Sequence, residues 1–546
     1  MLKEKVESFS FRSWLKKHWK TAVFLILLVC LAYANSLNSD FVSDDTRSIL
    51  DNKSLDKASY IFNQPKVTLS SLFYFVINKA VGRVPLFYRL VNICFQLGVV
   101  LVVFFLFSFL TDAKTAFFAA SILAVHPLLT ESVSWISGGS YAQYSFFVLF
   151  ALLAYSLSIR NRKWFLVSIF SFILSLFSHD MAIVFPLILL IFVIAFADIR
   201  RDWKKLIPFF ALSIIAGLIY FGRIGQRLTN FQMDFYQKPQ LLNPFLQIPI
   251  AITSYLELIF WPKGLTLYHS EMTFSQMQYI ARLLVFIIFL AIIVYSFRRS
   301  RSVFFGFCLF VISLLPALTP LGITWIVAER YVYLGSIGIF IAVASGINKL
   351  EKIEQLKIPV WIFFFLIMAV LLTRTVLRNI DWKNEDNLWT ATAKTSPSSP
   401  NTHNNLGDVY SRHGELEKAV GEFKKAIEIK PDYADAYHNL AHTYYQMSRY
   451  PEAIENLKKA VYLNPRLWQS YQCLGVIYFQ EKQYSPARDY FKKAIEINPQ
   501  EPSLHNNLGI VYILMNDKSK AEEEFEKTLQ IDSDNQVAKQ ALSLLR

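Results

Sequence analysis

The feature that most constrains the fold is a 34-residue period in the last third of the chain. Prolines recur at this interval, at Pro397, Pro431, Pro465 and Pro499. In a frame that starts at Pro400, position 7 is always Leu, position 8 is Gly or Ala, position 11 is Tyr and position 20 is Ala. Small and large residues repeated at fixed positions over this length predict stacked pairs of antiparallel helices.

This is the pattern of the tetratricopeptide repeat, in which small residues let two helices approach and proline ends the pair. The fourth unit departs from the pattern at Thr528 and Ser533, as a terminal capping repeat does. Such an array predicts a concave surface that binds a peptide or a partner protein. An asparagine at the end of a first helix can bond to an extended peptide, although it can equally cap its own helix. The candidate contacts are Asn404, Asn405, Asn439, Asn506 and Asn507.

Eleven apolar runs precede the repeats. A bilayer core requires about 20 apolar residues per helix, and fewer where protein shields the helix. Hydrophobic residues make up 54% of the chain and charged residues 18%, against about 25% charged residues in soluble proteins. This composition excludes a disordered chain and, with four Cys, a disulfide framework. The runs lie near residues 21–35, 87–110, 115–130, 142–159, 164–178, 182–198, 206–221, 279–297, 303–320, 333–348 and 358–373.

Lys and Arg are concentrated between the apolar runs. Residues 381–546 hold 20 Lys and Arg against 23 Asp and Glu, which leaves 35 against 18 for residues 1–380. Cytoplasmic loops of membrane proteins collect these residues, so the net charge of +14 does not indicate a nucleic-acid partner. With a cytoplasmic N-terminus and eleven spans, every basic turn is cytoplasmic and the repeats lie outside. The basic turns are 111–114, 160–163, 199–205, 298–301 and 349–357.

One further apolar run, 245–261, is long enough to span a membrane but carries Glu257. Counting it as a span would move the basic turn at 298–301 to the outside. We therefore expect a re-entrant or interfacial helix there.

The sequence thus predicts an all-α chain that joins a polytopic membrane domain of about eleven helices to a tetratricopeptide α-solenoid. Residues 1–20 form a basic cytoplasmic segment, 21–380 the membrane domain, 381–399 an adaptor helix and 400–546 four repeats. No small-residue cleavage site follows the first run, which predicts an uncleaved anchor. A multi-pass protein of this kind fits a bacterial inner membrane, with the endoplasmic reticulum as the alternative.

The four cysteines give no sign of a metal centre. Cys30, Cys94 and Cys308 lie in apolar runs and Cys473 lies in the repeats, with no CxxC pair and no His/Cys ligand spacing. The sequence therefore predicts neither a metal site nor a cofactor, although a divalent cation stays an open alternative.

Two adjacent acids, Asp44 and Asp45, follow the first apolar run. One interpretation is a cap on a short helix that begins at Thr46. The other is a general base, because two neighbouring carboxyls raise the pKa of one of them and prepare it to take a proton from a hydroxyl.

Further polar residues gather where the runs end on the same outer side. Polar groups at membrane depth are expensive and suggest a site, although each alone is typical of an interfacial anchor or an ion pair. Together they suit group transfer from a lipid phosphate, which arginine neutralises while aspartate activates the acceptor. They are His126, Glu131, His179, Asp180, Arg223, Arg227, Glu329, Arg330 and Tyr331.

Three segments resemble motifs of the transmembrane and tetratricopeptide-repeat O-mannosyltransferases, whose membrane part has the GT-C glycosyltransferase fold. Residues 41–52 (FVSDDTRSILDN) resemble the first-loop motif, 126–138 the third-span motif and 328–338 a late AERYxYLPS segment. The order of these motifs, with repeats after the last span, also matches. Gly139, His179-Asp180 and Gly335 stand where the family pattern has Arg, Lys-Glu and Pro.

The resemblance implies a GT-C-like membrane domain and inverting transfer of a sugar from a polyprenyl-phosphate carrier to a protein hydroxyl. It implies Asp44 as the base with Asp45 in support, and Arg223 and Arg330 as ligands of the donor phosphate. The remaining outer polar residues become pocket residues: His126, Glu131, His179, Asp180, Glu329 and Tyr331.

Two other functions remain open. One is a membrane-anchored repeat scaffold of an envelope or polysaccharide-export assembly that does not catalyse. The other is a transferase that acts on a glycan or lipid A rather than on a polypeptide. The bilayer is a partner in every case.

Overall fold

The computed structural model describes residues 6, 10–63, 67–234, 243–272, 274–318 and 326–545, without the side chains of residues 63, 221, 223–234 and 244. Within these ranges the chain is helical and contains no β-strand, so the predicted all-α fold is confirmed. The chain divides into two compact units, Met1–Ala391 and Thr392–Arg546.

The first unit is built from long apolar helices joined by short turns. The loop between the first two spans also contains a helix that the sequence analysis did not foresee, Thr68–Val81. The principal helices are α1 (Phe11–Tyr33), α2 (Thr68–Val81), α3 (Pro85–Leu110), α4 (Ala113–Val125), α5 (Ser140–Leu157), α6 (Lys163–Ser178), α7 (Phe185–Phe196), α8 (Ile207–Asp234), α9 (Pro244–Phe260), α10 (Gln276–Arg299), α11 (Arg301–Leu314), α12 (Tyr333–Glu351), α13 (Lys357–Asp381) and α14 (Glu385–Thr395).

Each of the eleven apolar runs coincides with an apolar helix. In the described residues seven helical segments are long and apolar enough to cross a membrane, and α4 with the helix after it adds an eighth across a 55° bend. The runs at 164–178, 182–198 and 303–320 form shorter apolar helices. The run at 245–261 forms the 17-residue α9. The number of spans and the interfacial placement of α9 stay predictions.

Helix α4 lies at the centre of the first unit, packed against α3 and α12. All of its residues from Phe118 to Val125 are buried, as expected of a helix that is apolar on every side. Glycines allow α11 and α12 to approach closely, because a Cβ on Gly306 or Gly338 would overlap the backbone of the other helix.

The second unit consists of four helix pairs and a final helix. In three repeats a glycine lies under a phenylalanine, and a Cβ on Gly407, Gly475 or Gly509 would be 2.7 to 2.8 Å from that ring. The repeats and their packing pattern are therefore confirmed. The helices are α15 (Pro400–Arg412), α16 (Leu416–Ile429), α17 (Ala434–Gln446), α18 (Tyr450–Leu463), α19 (Trp468–Gln480), α20 (Tyr484–Ile497), α21 (Pro502–Leu514), α22 (Lys518–Ile531) and α23 (Gln536–Leu545).

Candidate active site

The two adjacent acids of the first loop lie in different environments. Asp44 is exposed, whereas Asp45 is fully buried. The backbone N–H and the hydroxyl of Ser137 donate to Asp45 Oδ1 over 2.8 and 2.5 Å, and the Val42 N–H donates to Oδ2 over 3.4 Å. A one-turn π-helix begins at Thr46, but no side chain caps it, so Asp45 is not the helix cap of the first interpretation. Asp45 fixes the loop and leaves Asp44 facing outward.

Burial raises the pKa of Asp45 to about 6, although hydrogen bonds from Ser137 and the positive charge of Arg89 oppose the rise. The ionised form is the one that can accept all three of these hydrogen bonds without a proton in the way. Above about pH 6 the loop is therefore held by a buried carboxylate.

Arg89 is a site residue that the sequence analysis missed. It is fully buried near the start of α3 and donates to three backbone carbonyls, those of Ser134, Ser39 and Asp40, over 2.7, 2.7 and 2.9 Å. It thereby ties the first loop to the segment before Ser137. The available signal was a lone arginine within an apolar run, which is expensive in a bilayer unless it has a role.

Glu131 and Arg330, both predicted site residues, form a buried ion pair. Arg330 Nη1 lies 2.5 Å from Glu131 Oε1, and the Arg330 N–H donates to Oε2 over 2.9 Å. The Arg330 guanidinium also lies 5.7 Å from the ring of Trp135 and 5.1 Å from that of Tyr331. A guanidinium carries five N–H donors, and the bond to Glu131 Oε1 uses one of them, at Nη1.

Asp45 of the first loop and Arg330 are anchored on one short segment. Asp45 is bonded to Ser137, and Arg330 is bonded to Glu131 and covers Trp135, all within residues 131–137. Residues 135 and 137 are two positions apart, a span of at most about 7 Å. The segment therefore brings together groups that are distant in the sequence.

A second buried charge cluster surrounds Glu329. Its Oε1 lies 3.3 Å from Arg378 Nη2 and 3.8 Å from His269 Nε2, and it also accepts from the Thr266 N–H. Sequence analysis missed both Arg378 and His269. Burial, with the nearby Arg378 and Arg330, lowers the pKa of His269 to about 3, so this imidazole is neutral.

This second cluster contains polar atoms with unused bonding capacity. Within the described residues, Glu329 Oε2, His269 Nε2, Arg378 Nε and Trp382 Nε1 are buried and have no hydrogen-bond partner. The rings of Trp382 and Trp135 are stacked with centroids 5.7 Å apart, so the cluster adjoins the segment that holds Arg330. Buried polar atoms are rarely left unpaired unless a ligand or water completes them.

His179, Asp180 and Tyr331 contribute a rim of aromatic and polar groups. His179 Nδ1 lies 3.0 Å from Asp180 Oδ1, and its ring centroid is 4.3 Å from that of Tyr141. Tyr141 in turn lies 6.0 Å from Tyr331. The structure therefore connects these predicted pocket residues to Arg330 through ring contacts.

His126 lies in the bend after α4. It is buried, its Nε2 lies 2.9 Å from the Ile259 carbonyl oxygen, and its ring packs 5.0 Å from that of Phe340. These contacts favour a packing role at the bend. The side chains of Arg223 and Arg227 lie outside the described part of the chain.

Gly139 replaces the arginine of the family pattern for a reason visible in the packing. A Cβ at this position would overlap the side chain of Asn92, whose Nδ2 donates to the carbonyls of Trp135 and Ile136 over 3.1 Å. An arginine would displace Asn92 and with it the 131–137 segment. The site must therefore obtain its positive charge from other positions.

The asparagines proposed for peptide binding are partly used between repeats. Asn439 Nδ2 donates to Asn404 Oδ1, and Asn506 Nδ2 donates to Asn535 Oδ1, each over 3.0 Å. Asn405 and Asn507 are half-buried. Peptide binding stays a prediction for all five. Among the described residues, no group of three or more His, Cys, Asp or Glu could hold a metal ion.

Family models match the repeats in the C-terminal part of the chain. Models described as TPR repeat and tetratricopeptide repeat match residues 412–448, 434–467, 468–501 and 490–523. A crystal structure of MamA, 24% identical, covers 27% of this chain and 85% of its own with a TM-score of 0.25.

The chain is similar to proteins named protein O-mannosyl-transferase. The mouse protein TMTC3 is 23% identical over 76% of this chain and 52% of its own length, and the Caenorhabditis elegans protein F38B6.6 is 25% identical over 76% and 63%. Drosophila melanogaster Tmtc2 is 35% identical over 20% of this chain and 12% of its own. The resemblance drawn from the motifs is thus confirmed, and the chain is a multi-pass membrane protein with tetratricopeptide repeats. It spans about half the length of the TMTC3 proteins that it matches.

Proposed function

We propose that the chain is a membrane glycosyltransferase that moves a sugar, mannose by analogy with its relatives, from a polyprenyl-phosphate carrier to a hydroxyl of a polypeptide. The names of the relatives support the reaction class. The repeats support a polypeptide acceptor, since an acceptor bound by the same chain has a higher effective concentration.

One observation carries the proposal. Asp45, the neighbour of Asp44, and Arg330 are both anchored on residues 131–137, Asp45 through Ser137 and Arg330 through Glu131 and Trp135. A scaffold has no need to hold the loop that carries an exposed carboxylate and a half-buried arginine on one segment at the end of a helix bundle. A glycosyl transfer needs both groups near the same bond.

The proposed mechanism assigns a role to each of these residues. Asp44 takes the proton of the acceptor hydroxyl, whose oxygen attacks the anomeric carbon from the face opposite the phosphate. The new carbon–oxygen bond forms as the bond to phosphate breaks, so the configuration inverts. Arg330 neutralises the charge on the departing polyprenyl phosphate, with Arg223 as a second candidate. Asp45 holds the loop in place through Ser137.

The topology belongs to the same proposal. The N-terminus is cytoplasmic, and Asp44 and the repeats lie outside, in the periplasm if the membrane is a bacterial inner membrane. A reporter enzyme that is active only outside the cytoplasm, fused after residue 400, tests this placement. The reaction as written uses no cofactor, and transfer assayed with and without a chelator tests for a divalent cation.

The decisive test replaces Asp44 with Asn. We expect transfer to fall by about 10²- to 10⁴-fold, the usual contribution of a positioned general base. The matched control is Asp51→Asn, which removes an exposed carboxylate from the same loop and should leave transfer unchanged. Transfer is measured by mass spectrometry of glycosylated Ser and Thr in cells with the wild-type gene, without it, or with either variant.

The outcomes separate the three candidate functions. Full transfer by a folded, inserted Asp44→Asn protein contradicts the mechanism. A glycoprotein profile that does not change when the gene is removed favours the scaffold. Deletion of residues 401–546 without loss of transfer favours a glycan or lipid acceptor, which does not need a peptide-binding surface.

A further inference from the structure

An open cavity lies in the first unit, away from the candidate active site. It has a volume of about 940 Å³ and is formed by α1, α3, α5, the turn between α5 and α6, and Trp164 at the start of α6. This volume lies within the range of about 300–1,000 Å³ of small-molecule sites. Two of its lining residues, Phe11 and Leu15, are 59% and 43% exposed, so the cavity opens to the outside of the helix bundle.

The cavity and the candidate active site are at opposite ends of the helices. Arg89, which holds the first loop, is near the start of α3, whereas Phe105, which lines the cavity, is near its end. Sixteen residues of helix separate them, about 24 Å along the axis. Likewise, α5 starts beside Ser137 and lines the cavity with Leu157, its last residue. The cavity is therefore not part of the transfer site.

The lining of the cavity has two chemically different parts. Helices α1, α3 and α5 contribute only apolar and aromatic side chains, among them Leu101, Leu153 and Leu157. The polar residues, Arg160, Asn161 and Arg162, are consecutive and exposed, in the turn at the mouth. A ligand that fits this division has an apolar chain and an anionic head.

Helix α1 completes the cavity through specific contacts near its start. Trp14 Nε1 donates to Ser108 Oγ over 2.9 Å, and the rings of Trp14 and Phe105 are in edge contact at 4.7 Å. The start of α1 is thus fixed at the end of α3. The cavity is a formed feature of the bundle with a defined wall on each side.

We infer that this cavity binds an anionic phospholipid of the surrounding bilayer. An acyl chain lies among Leu101, Leu153 and Leu157, and the phosphate lies against Arg160 and Arg162. Charge complementarity selects this occupant, because basic pockets between membrane helices bind anionic headgroups while the apolar interior replaces part of the lipid environment of the chain. A zwitterionic lipid fills the same space, but its headgroup carries no net negative charge to attract the two arginines.

The test compares two lipids with identical acyl chains. Purified full-length protein in detergent is titrated with phosphatidylglycerol or phosphatidylcholine, and retained lipid is counted by native mass spectrometry. Each arginine near a membrane surface adds about 1 kcal/mol for an anionic lipid, so two predict a preference of about 30-fold for phosphatidylglycerol.

Three variants make the result specific. The double variant Arg160→Gln with Arg162→Gln should reduce the preference to near unity. The matched control, Arg298→Gln with Arg299→Gln, removes two exposed arginines from another basic turn at the same end and should keep it. At that turn Arg301 Nη1 donates to the Ile194 carbonyl near the end of α7, which fixes its location. Leu153→Trp fills the cavity, leaves the charges in place, and should abolish retention of both lipids.

Several results would overturn the inference. Equal retention of the two lipids by the wild-type protein removes the anionic selectivity. An equal loss in both double variants assigns the preference to the general charge of this face rather than to the cavity. Unchanged retention in a folded Leu153→Trp protein, as judged by gel filtration, places the lipid elsewhere.

Discussion

The contacts that stabilise the repeat array differ from the polar pairs of the membrane unit in how far apart their residues are in the sequence and in how often they recur. In the array, the glycine and the phenylalanine that pack together, such as Gly407 and Phe423, are 16 residues apart and recur with the period. In the membrane unit, the bonded pairs Asp45–Ser137 and Glu131–Arg330 join residues 92 and 199 positions apart. Array contacts are local and repeated, whereas each polar pair occurs once. When a substitution removes one contact of the array, the equivalent contacts in the neighbouring repeats remain. When it removes one partner of a buried polar pair in the membrane unit, no equivalent pair remains.

The largest expected effect comes from removing one member of a buried pair. Glu131→Ala leaves the Arg330 guanidinium, whose side chain is 14% exposed, without its counter-charge. Breaking a buried pair in this way costs about 3–5 kcal/mol of unfolding free energy. We expect a large fall in thermal stability in detergent. The double variant Glu131→Gln with Arg330→Gln should recover much of the stability but no transfer activity.

A matched pair elsewhere in the membrane unit sharpens this prediction. Glu257 and Arg282 also form an ion pair, over 2.8 Å, but the Glu257 side chain is 59% exposed. An exposed pair of this kind contributes about 0–1 kcal/mol. If Glu257→Ala and Glu131→Ala lower the unfolding temperature equally, burial of the charge is not what distinguishes the two pairs.

The same contrast explains what the sequence could predict. The period alone predicted the repeats, because every unit repeats the same packing contact, such as that between Gly407 at position 8 and Phe423 at position 24. The apolar runs predicted the helices of the membrane unit, since any helix in a bilayer must be apolar along its length. The motif residues Glu131 and Arg330 were selected as site residues, but their pairing is a contact between distant helices that no local pattern encodes.

Three residues of the site were missed for identifiable reasons. Arg89 lies at the start of an apolar run and Arg378 lies just beyond the end of one, where a single arginine is also typical of an interfacial anchor. His269 lies in a loop without any motif. The different environments of Asp44 and Asp45 were likewise not predictable, because they depend on Ser137, which is 92 residues away.

The next largest effect tests the array. Gly407→Ala places a methyl group 2.7 Å from the Phe423 ring, and overpacking of this kind costs about 1–3 kcal/mol. The second repeat shows how the array accommodates the larger residue, since it has Ala441 together with Leu457. We therefore expect Phe423→Leu, added to Gly407→Ala, to restore most of the lost stability.

The control for this pair is another glycine of the same repeat. Gly421 lies on the exposed side of α16, with nothing within 4 Å of a Cβ built there. Gly421→Ala should stabilise the helix by about 0.5–1 kcal/mol, because alanine has the higher helix propensity. Hydrogen exchange of peptides from residues 400–430 in the full chain reports both changes. Destabilisation by Gly421→Ala would show that helix propensity and ring packing do not explain the effects of alanine at these two glycine positions.

The smallest expected effect depends on pH and brings a buried titratable group into the array. Burial, with a smaller effect of His442, lowers the pKa of His438 to about 4 from its ordinary value of 6.5. Between these values the unfolded chain binds more protons than the folded one, so stability is full above pH 6.5 and falls as pH falls through the window. At pH 5.5 the loss is about 1 kcal/mol.

His438 Nδ1 lies 2.8 Å from Ser470 Oγ, and Gln472, at the same position of the next repeat, makes the corresponding bond to Ser503 over 3.2 Å. His438→Gln should therefore keep the bond between repeats and remove the pH dependence. The check is hydrogen exchange of residues 434–467, with variant and wild type compared at pH 7.5 and 5.5. If both lose the same protection at the lower pH, protonation of His438 is not the cause. The stability of the array would then depend on residues distant in the sequence, as that of the membrane unit does.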